Sequence, residues 1–348
     1  MSVEIVALRG PLDDEKLGWL VDLYGPVDEK YASLDFVRHQ FVGNPFGWSA
    51  HVFALDHGRP VGHSGAVPFV ARRGDEELVA GKIEAVTVDA AYRGRRAEDG
   101  GSVATDVLST LYPFAVENGM RVLFGLAPPG VARVHARAGC RLLPLDAPAY
   151  TAVLDPRSWG SHEPSRSRRV AASALAAGQR AAMLALRAPA RVASSGPARV
   201  SDPAREDAPL ADGPHGLPGW TISGADAWEW YRGSGVLRTL EVGGAHGSRG
   251  LVRPGTGASP AQIVAWEPRR PGIVPAALFL EQAARVASAR GAPTLRFQPW
   301  KGDAAERTLA RACRLLGFVQ RPEANLVVYS TDTSYDDVRL TPFFYVTF

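Results

Sequence analysis

The chain has almost no cysteine. Cys140 and Cys313 are its only two, far apart and outside any Cys-x-x-Cys or Cys/His spacing, which argues against a disulfide scaffold and a zinc site. Lysine is nearly as scarce: Lys16, Lys30, Lys82 and Lys301 are the only four among 39 basic residues. A GC-rich coding genome accounts for that arginine bias as well as any function does. No apolar run approaches the length of a membrane span, and Met-Ser-Val-Glu-Ile lacks the basic and apolar regions of a secretory leader. The expectation is a soluble cytoplasmic protein with no membrane partner. Charge of one sign is also missing. A net charge of +3 suits an anionic ligand but is too small to imply DNA.

What is present is enough chain for two cores. A length of 348 residues suits two domains, and 46% hydrophobic with 22% charged residues are ordinary globular values. Residues 1–154 alternate strands and helices. Strands are expected at 3–8, 51–56, 59–69, 70–78, 82–88, 121–126, 141–145 and 150–154, all completing one sheet, with helices at 15–24, 34–41, 102–117 and 131–138. Residues 156–218 are rich in Ala, Arg, Ser and Pro, with one helix near 170–186, and read as a linker. From about residue 219 the pattern repeats: strand 262–266, a basic loop, helix 275–290, strand 294–298, helix 304–316 and strand 325–329. The echo of His135-Ala136-Arg137-Ala138-Gly139-Cys140 in Cys313-Arg314-Leu315-Leu316-Gly317-Phe318 makes tandem duplication of one α/β unit the economical reading. The expected domains are 1–155, a linker over 156–218, and 219–348.

Chemistry concentrates after residue 82. The run Ile83-Glu84-Ala85-Val86-Thr87-Val88-Asp89 leads into Tyr92-Arg93-Gly94-Arg95-Arg96-Ala97, and a helix opens at Ser102 after Gly100-Gly101. A strand ending in a basic, glycine-bearing loop at a helix N-terminus is a recipe for holding a pyrophosphate. Loop N–H groups and the helix dipole point at the anion, and arginines add charge-assisted hydrogen bonds.

This arrangement resembles the GCN5-related N-acetyltransferase (GNAT) superfamily, in tandem. Tyr92-Arg93-Gly94-Arg95 matches the start of that family's Arg/Gln-x-x-Gly-x-Gly/Ala loop, His135 stands four before Gly139-Cys140 where the family has an aromatic residue, and the segment ending Asn44-Pro45-Phe46-Gly47 is similar to the substrate-side helix of tandem members. Arg96 stands where the loop glycine is expected, and 97–101 is an insertion. The resemblance implies an α/β fold of two GNAT-like mixed-sheet domains packed side by side. It implies an acyl-CoA, most simply acetyl-CoA, as cofactor and the amine of a small molecule as acceptor. It assigns cofactor contacts to Val86, Thr87, Val88, Arg93, Gly94, Arg95, Arg96, Ala97, Gly100, Gly101 and Ser102. The second unit, whose loop Arg269-Arg270-Pro271-Gly272 carries proline, is expected to shape the substrate side.

Acyl transfer from a thioester needs a neutral amine, hence a base, and the departing thiolate benefits from an acid. Glu84 is the candidate base and His135 the candidate acid or base. The competing readings are an outward strand residue for Glu84, which strict alternation places on one face with Val86 and Val88, and a partly exposed helix residue without chemistry for His135. Asp89 is read as a turn cap and Cys140 as core filling. Trp228, Trp230 and Tyr231, with Asp226, line an acceptor pocket or form core. Two other readings stay open: a Fem-like transferase taking aminoacyl groups from tRNA, the only reading with a tRNA partner, and a catalytically degenerate binding protein.

Overall fold

The computed structural model describes residues 3–84, 86–94, 102–143, 148–156, 166–191, 198–207, 221–222, 227–244, 246–255, 259–299, 304–321, 325–331 and 339–340. The first half runs β1 (Glu4–Gly10), α1 (Asp14–Tyr24), α2 (Leu34–Phe41), β2 (Ser49–Asp56), β3 (Arg59–Arg73), β4 (Glu76–Ile83), β5 (Thr87–Val88), α3 (Val103–Glu117), β6 (Val122–Ala127), α4 (Pro129–Arg137) and β7 (Arg141–Leu143). The chain continues through β8 (Ala149–Val153), α5 (Arg166–Arg191), β9 (Arg199–Ser201), β10 (Thr221–Ile222) and α6 (Trp228–Gly233). The second half then follows as β11 (Arg238–Val242), β12 (Ser248–Arg253), β13 (Ala261–Pro268), α7 (Ile273–Ala289), β14 (Thr294–Phe297), α8 (Ala304–Leu315), β15 (Val319–Arg321), β16 (Asn325–Tyr329) and β17 (Arg339–Leu340).

Local signals set the helix ends. Asp13, Ser33 and Ser102 cap α1, α2 and α3 by accepting from Lys16, Phe36 and Thr105 N–H groups. Chain reversals after α3 and after α4 use Gly119 (φ 101°) and Gly139 (φ 100°), in the left-handed region that glycine tolerates.

The strands form two mixed sheets. The first has the order β1-β2-β3-β4-β6-β16-β7, with β5 and β10 also on β3 and β17 on β10; the second has the order β15-β8-β14-β13-β12-β11-β9. Each contains the same device: a parallel pair, β4 with β6 and β13 with β14, joined through the long helix α3 or α7. Next to each pair lies a strand from the other half of the chain. β16 enters the first sheet between β6 and β7, and β8 enters the second between β14 and β15. The expectation that 150–154 completes the first sheet is therefore corrected. Both inserted strands are short and buried on both faces, so their apolar sequences suit either slot.

Three cores result. One packs α3 and α4 on the first sheet, and another packs α7 and α8 on the second. The third joins α1, α2, α6 and the opposite face of the first sheet to Leu251, Val264 and Ala265 of the second. Trp228, Trp230 and Tyr231 belong to this shared core rather than to a pocket lining, while Asp226 lies outside the described residues. Each such fully buried large side chain contributes roughly 1.5–3 kcal/mol. The apolar tail at 341–348 also lies outside the described residues.

Burial also fixes three imidazoles in the neutral form. It pushes His51 down to about 3 and His135 down to about 4, and holds His63 well below the ordinary value.

Two outcomes are expected. A chain ending at residue 321 lacks β16, so β6 and β7 lose their common neighbour. Its thermal melt, followed by circular dichroism, should lose the cooperative transition of the full chain, and an unchanged melt would contradict the exchange. Acid sensitivity follows from the imidazoles. The unfolded chain takes up protons near pH 6.5 that the folded chain refuses, so stability is complete above about pH 6.5 and falls as pH drops toward 4. His135 alone accounts for about 3 kcal/mol at the lower end of that window. The urea midpoint should decline over this range, with a shallower decline in His135→Phe.

Candidate functional site

The strand that leads into the basic loop does not alternate regularly. β3 pairs Ala66 with Ile83 and then His63 with Thr87, so three steps on β3 face four on its partner. The register shift between Ile83 and Thr87 is that of a β-bulge, held where Glu84 N–H donates to Gly65 O (2.8 Å) and Ser64 Oγ donates to Glu84 O (3.2 Å). The bulge changes which face each side chain takes. Ile83, Val86 and Val88 pack on the α3 face, whereas Glu84 pairs with Lys82 on the opposite face, where its charge acts on Tyr24 of α1. The expected common face for Glu84, Val86 and Val88 is thus corrected, and the added residue is the cause.

The same stretch opens the sheet. β4 pairs in parallel with β6 only from Ala80–Val122 to Lys82–Phe124; beyond that point β6 continues to Ala127 on β16 alone. Val86, Thr87 and Val88 therefore form an edge away from β6. At its end, α3 begins directly over β3. A Cβ on Gly62, the partner of Val88, would stand 3.0 Å from Val103 Cγ1. The Ser102-capped N-terminus of α3, with its positive dipole end, thereby sits at the end of this strand.

Between strand and helix, Asp89 caps the turn through Ala91 N–H and pairs with Arg59 (2.9 Å), as a structural turn residue. Tyr92 hydrogen-bonds Asp56. Arg93 is exposed, its Nε donates to Val88 O (2.8 Å), and no acid pairs with it among the described residues. Gly94 takes φ 73°. Arg95, Arg96, Ala97, Gly100 and Gly101 lie outside the described residues.

Glu84 is only 4% exposed. Lys82 Nζ donates to its Oε1 at 2.8 Å, and its Oε2 has no hydrogen-bond partner among the described residues. Around it stand the stacked phenols Tyr24 and Tyr31 (centroids 4.9 Å apart), both pushed far up by burial and further by the Glu84 charge. Lys30 is pushed down to about 8, chiefly by burial and then by the charge of Arg253, against the opposing pull of Asp28 at 3.0 Å. Arg253 ends β12, so the second unit brings charge to this face. Gln40 of α2 is fully buried against Tyr31, and neither of its amide atoms reaches hydrogen-bond geometry.

His135 lies elsewhere, on the α3 face. It is 4% exposed, not partly exposed as one reading expected, and its Nδ1 is 2.5 Å from the Tyr112 hydroxyl. Burial pushes the Cys140 thiol up to about 11. Cys140 thus fills core. Sequence reasoning missed Tyr112, Tyr24, Tyr31 and Lys82. Lys82 was within reach of it, as a lysine two residues from Glu84 on one strand face in a chain that otherwise uses arginine.

Among the described residues, the second unit shows no such equipment. Val264 and Ala265, just past the β13–β14 pairing, are buried in the shared core; Gly272 gives α7 no side-chain cap, and Pro275 lies in its first turn. Groups of three or more metal-ligating side chains are absent among the described residues, and no helix among them is long and apolar enough to cross a membrane.

No family model matches the chain, and no curated protein matches it. Solved structures do. A tandem GNAT protein from the clavulanic acid biosynthesis pathway superposes with a TM-score of 0.50 at 13% identity, covering 94% of this chain and 98% of that one. N-myristoyltransferase of Saccharomyces cerevisiae, solved with myristoyl-CoA, gives 0.52 at 10% identity over 98% of this chain and 85% of that one. A proposed acetyltransferase from Pyrococcus horikoshii gives 0.51 at 11% identity over 98% and 93%. With the duplicated parallel pair, the bulge and the splayed edge, these likenesses establish that the chain has the tandem fold of the GCN5-related N-acetyltransferases.

Proposed function

We propose that the first unit is an acyl-CoA-dependent N-acyltransferase, most simply an acetyltransferase, acting on the amine of a small molecule. The observation that carries this reading is the bulged strand: it leaves β6 beyond Lys82 and turns Glu84 to the face opposite α3. The residues fit an acyl-CoA. The backbone edge at Val86, Thr87 and Val88 suits a pantetheine arm by strand addition, and Arg93, Gly94 and the Ser102-capped helix suit the pyrophosphate. Arg95, Arg96, Ala97, Gly100 and Gly101 are assigned to the same loop. The cofactor supplies a thioester-activated acyl group.

The protein's own groups do the rest. Glu84 Oε2, reached through water, accepts the proton that an alkylammonium must lose, while Lys82 orients the carboxylate through Oε1. In the tautomer in which Tyr112 donates to His135 Nδ1, the neutral imidazole keeps its proton on Nε2, where it serves as a donor for a developing thiolate. Burial of Glu84 where α1, α2 and the second sheet share a core favours a small acceptor over a protein tail.

Isothermal calorimetry with acetyl-CoA tests the cofactor, and acyl transfer to a panel of amines tests the reaction. Glu84→Gln should lower kcat at least about 100-fold with unchanged cofactor affinity. Arg93→Ala should weaken cofactor binding about tenfold with a smaller effect on kcat. No heat at high micromolar acetyl-CoA rules out the reading, and cofactor binding without transfer to any amine makes the unit a binding protein.

A further inference from the structure

The second sheet carries a cavity that the proposed chemistry does not use. It measures about 570 Å³ and lies at the ends of β9, β11, β12 and β13, lined by Arg199, Glu241, Ser248, Arg249, Glu267 and Arg269. Ser248 and Arg249 begin β12, whereas Arg253, which brings charge to the Glu84 face, ends it. The strand from Ser248 to Arg253 puts about 16 Å between the two places. Among the described residues, α7 contributes nothing to the lining, so the cavity is not a helix-capped pyrophosphate cradle.

Its charged residues are unevenly paired. Across the sheet, Arg199 stands opposite Glu241, Glu241 opposite Arg249, and Arg249 opposite Glu267, so the four alternate in sign on one face. Arg249 is committed within the protein. It pairs with Glu267 (3.2 Å) and with the buried Asp207 (3.1 Å), which Thr239 Oγ1 and Ala204 N–H hold in turn. Arg199, Glu241 and Arg269 are exposed and have no ion-pair partner among the described residues. Arg269 is nonetheless placed: its N–H donates to Gly247 O (3.0 Å), and a Cβ on Gly247 would come 3.3 Å from Arg269 Cδ. The stem of the arginine therefore lies against a bare turn. Ser248, next in sequence, is 5% exposed, and its hydroxyl has no hydrogen-bond partner among the described residues. A buried hydroxyl left without a partner is costly, and a ligand that supplies one removes the cost.

We propose that this cavity binds a phosphomonoester of a small hydroxyl-bearing molecule, with the phosphate on Arg199, Arg269 and Ser248 and a ligand hydroxyl on Glu241. The inference goes beyond the acyltransferase reading and stands without it. Two arginines left without acids match the near-dianion of a phosphomonoester. Its three terminal oxygens take forked guanidinium donors and a hydroxyl together. A carboxylate, with one charge and two oxygens, leaves an arginine over. Glu241 only accepts hydrogen bonds, so it calls for a donor on the ligand, which a sugar or polyol hydroxyl supplies. The cavity has the size of a small-molecule site and exceeds what an inorganic ion fills.

Calorimetry on the full chain tests this with glycerol 3-phosphate, glucose 6-phosphate, inorganic phosphate and glucose. At least one of the two esters should bind, at least about tenfold more tightly than inorganic phosphate, and glucose should give no heat. Arg199→Ala and Arg269→Ala should each weaken the bound ester about tenfold with an unchanged thermal melt. Glu241→Gln should weaken the ester and leave inorganic phosphate as it was. Acetyl-CoA affinity should be the same in all three variants, so a failure here is separate from a failure of the acyltransferase reading. Heat from neither ester overturns the proposal. Equal affinity for ester and inorganic phosphate also overturns it, leaving an adventitious ion only. Arginine variants that lose acetyl-CoA instead of the ester assign these side chains to the cofactor and overturn it as well.

Discussion

One residue too many between Ile83 and Thr87 is the constraint on which the rest of the site depends. Without it, β4 and β5 would be one regular strand, with Glu84 on the same face as Val86 and Val88. With it, the strand carries a carboxylate toward α1 while still giving Val86 and Val88 to the core under α3. The bulge is tolerable because β3 is glycine-bearing on both sides of it. Gly62 admits Val103, and a Cβ on Gly65 would come 3.2 Å from both Ala50 O and His51 Nδ1. The glycines that let α3 and the buried imidazole approach are thus spaced to flank the irregularity. Local backbone irregularity and close packing have one origin here.

Reciprocal strand exchange gives that geometry its rigidity. In the first sheet, β16 covers the side of β6 that faces away from β4, so that side is paired from Leu123 to Ala127 and the gap left by the splay lies on the β5 side alone. The second unit is therefore a structural participant whatever its own loop does. Its β13 gives Val264 and Ala265 to the shared core at the place where the first unit has Glu84. Among the described residues, the polar groups lie on only one of the two corresponding surfaces, and the other is packed in the shared core.

Much of this was legible in the sequence because it is local. Helix periods, glycine stops and caps placed the helices, and the repeat exposed the duplication; both depend on neighbours a few residues apart. The strand exchange was not legible. The strand at 325–329 and the strand at 149–153 have the same apolar character, and nothing in either specifies which sheet receives it. The faces of Glu84 and Val86 were misread because alternation assumes two residues per repeat, and a bulge leaves no mark in composition. The pairing of two buried imidazoles was hidden for a related reason. His51 and His63 look like polar interruptions of apolar strands until pairing brings them within 3.1 Å. For the site, the cofactor loop was recognisable as a motif, whereas the groups around Glu84 come from α1, α2 and β12 and meet only in the fold.

The Lys82–Glu84 pair then raises a question of purpose, since buried ion pairs are a weak source of stability: desolvation offsets most of their attraction. The contribution of this pair is orientation: Lys82 holds Oε1 while Oε2 is left without a partner among the described residues, so geometry is fixed at one oxygen and chemistry is left to the other. The bulge sets where Glu84 points, and the lysine holds it there.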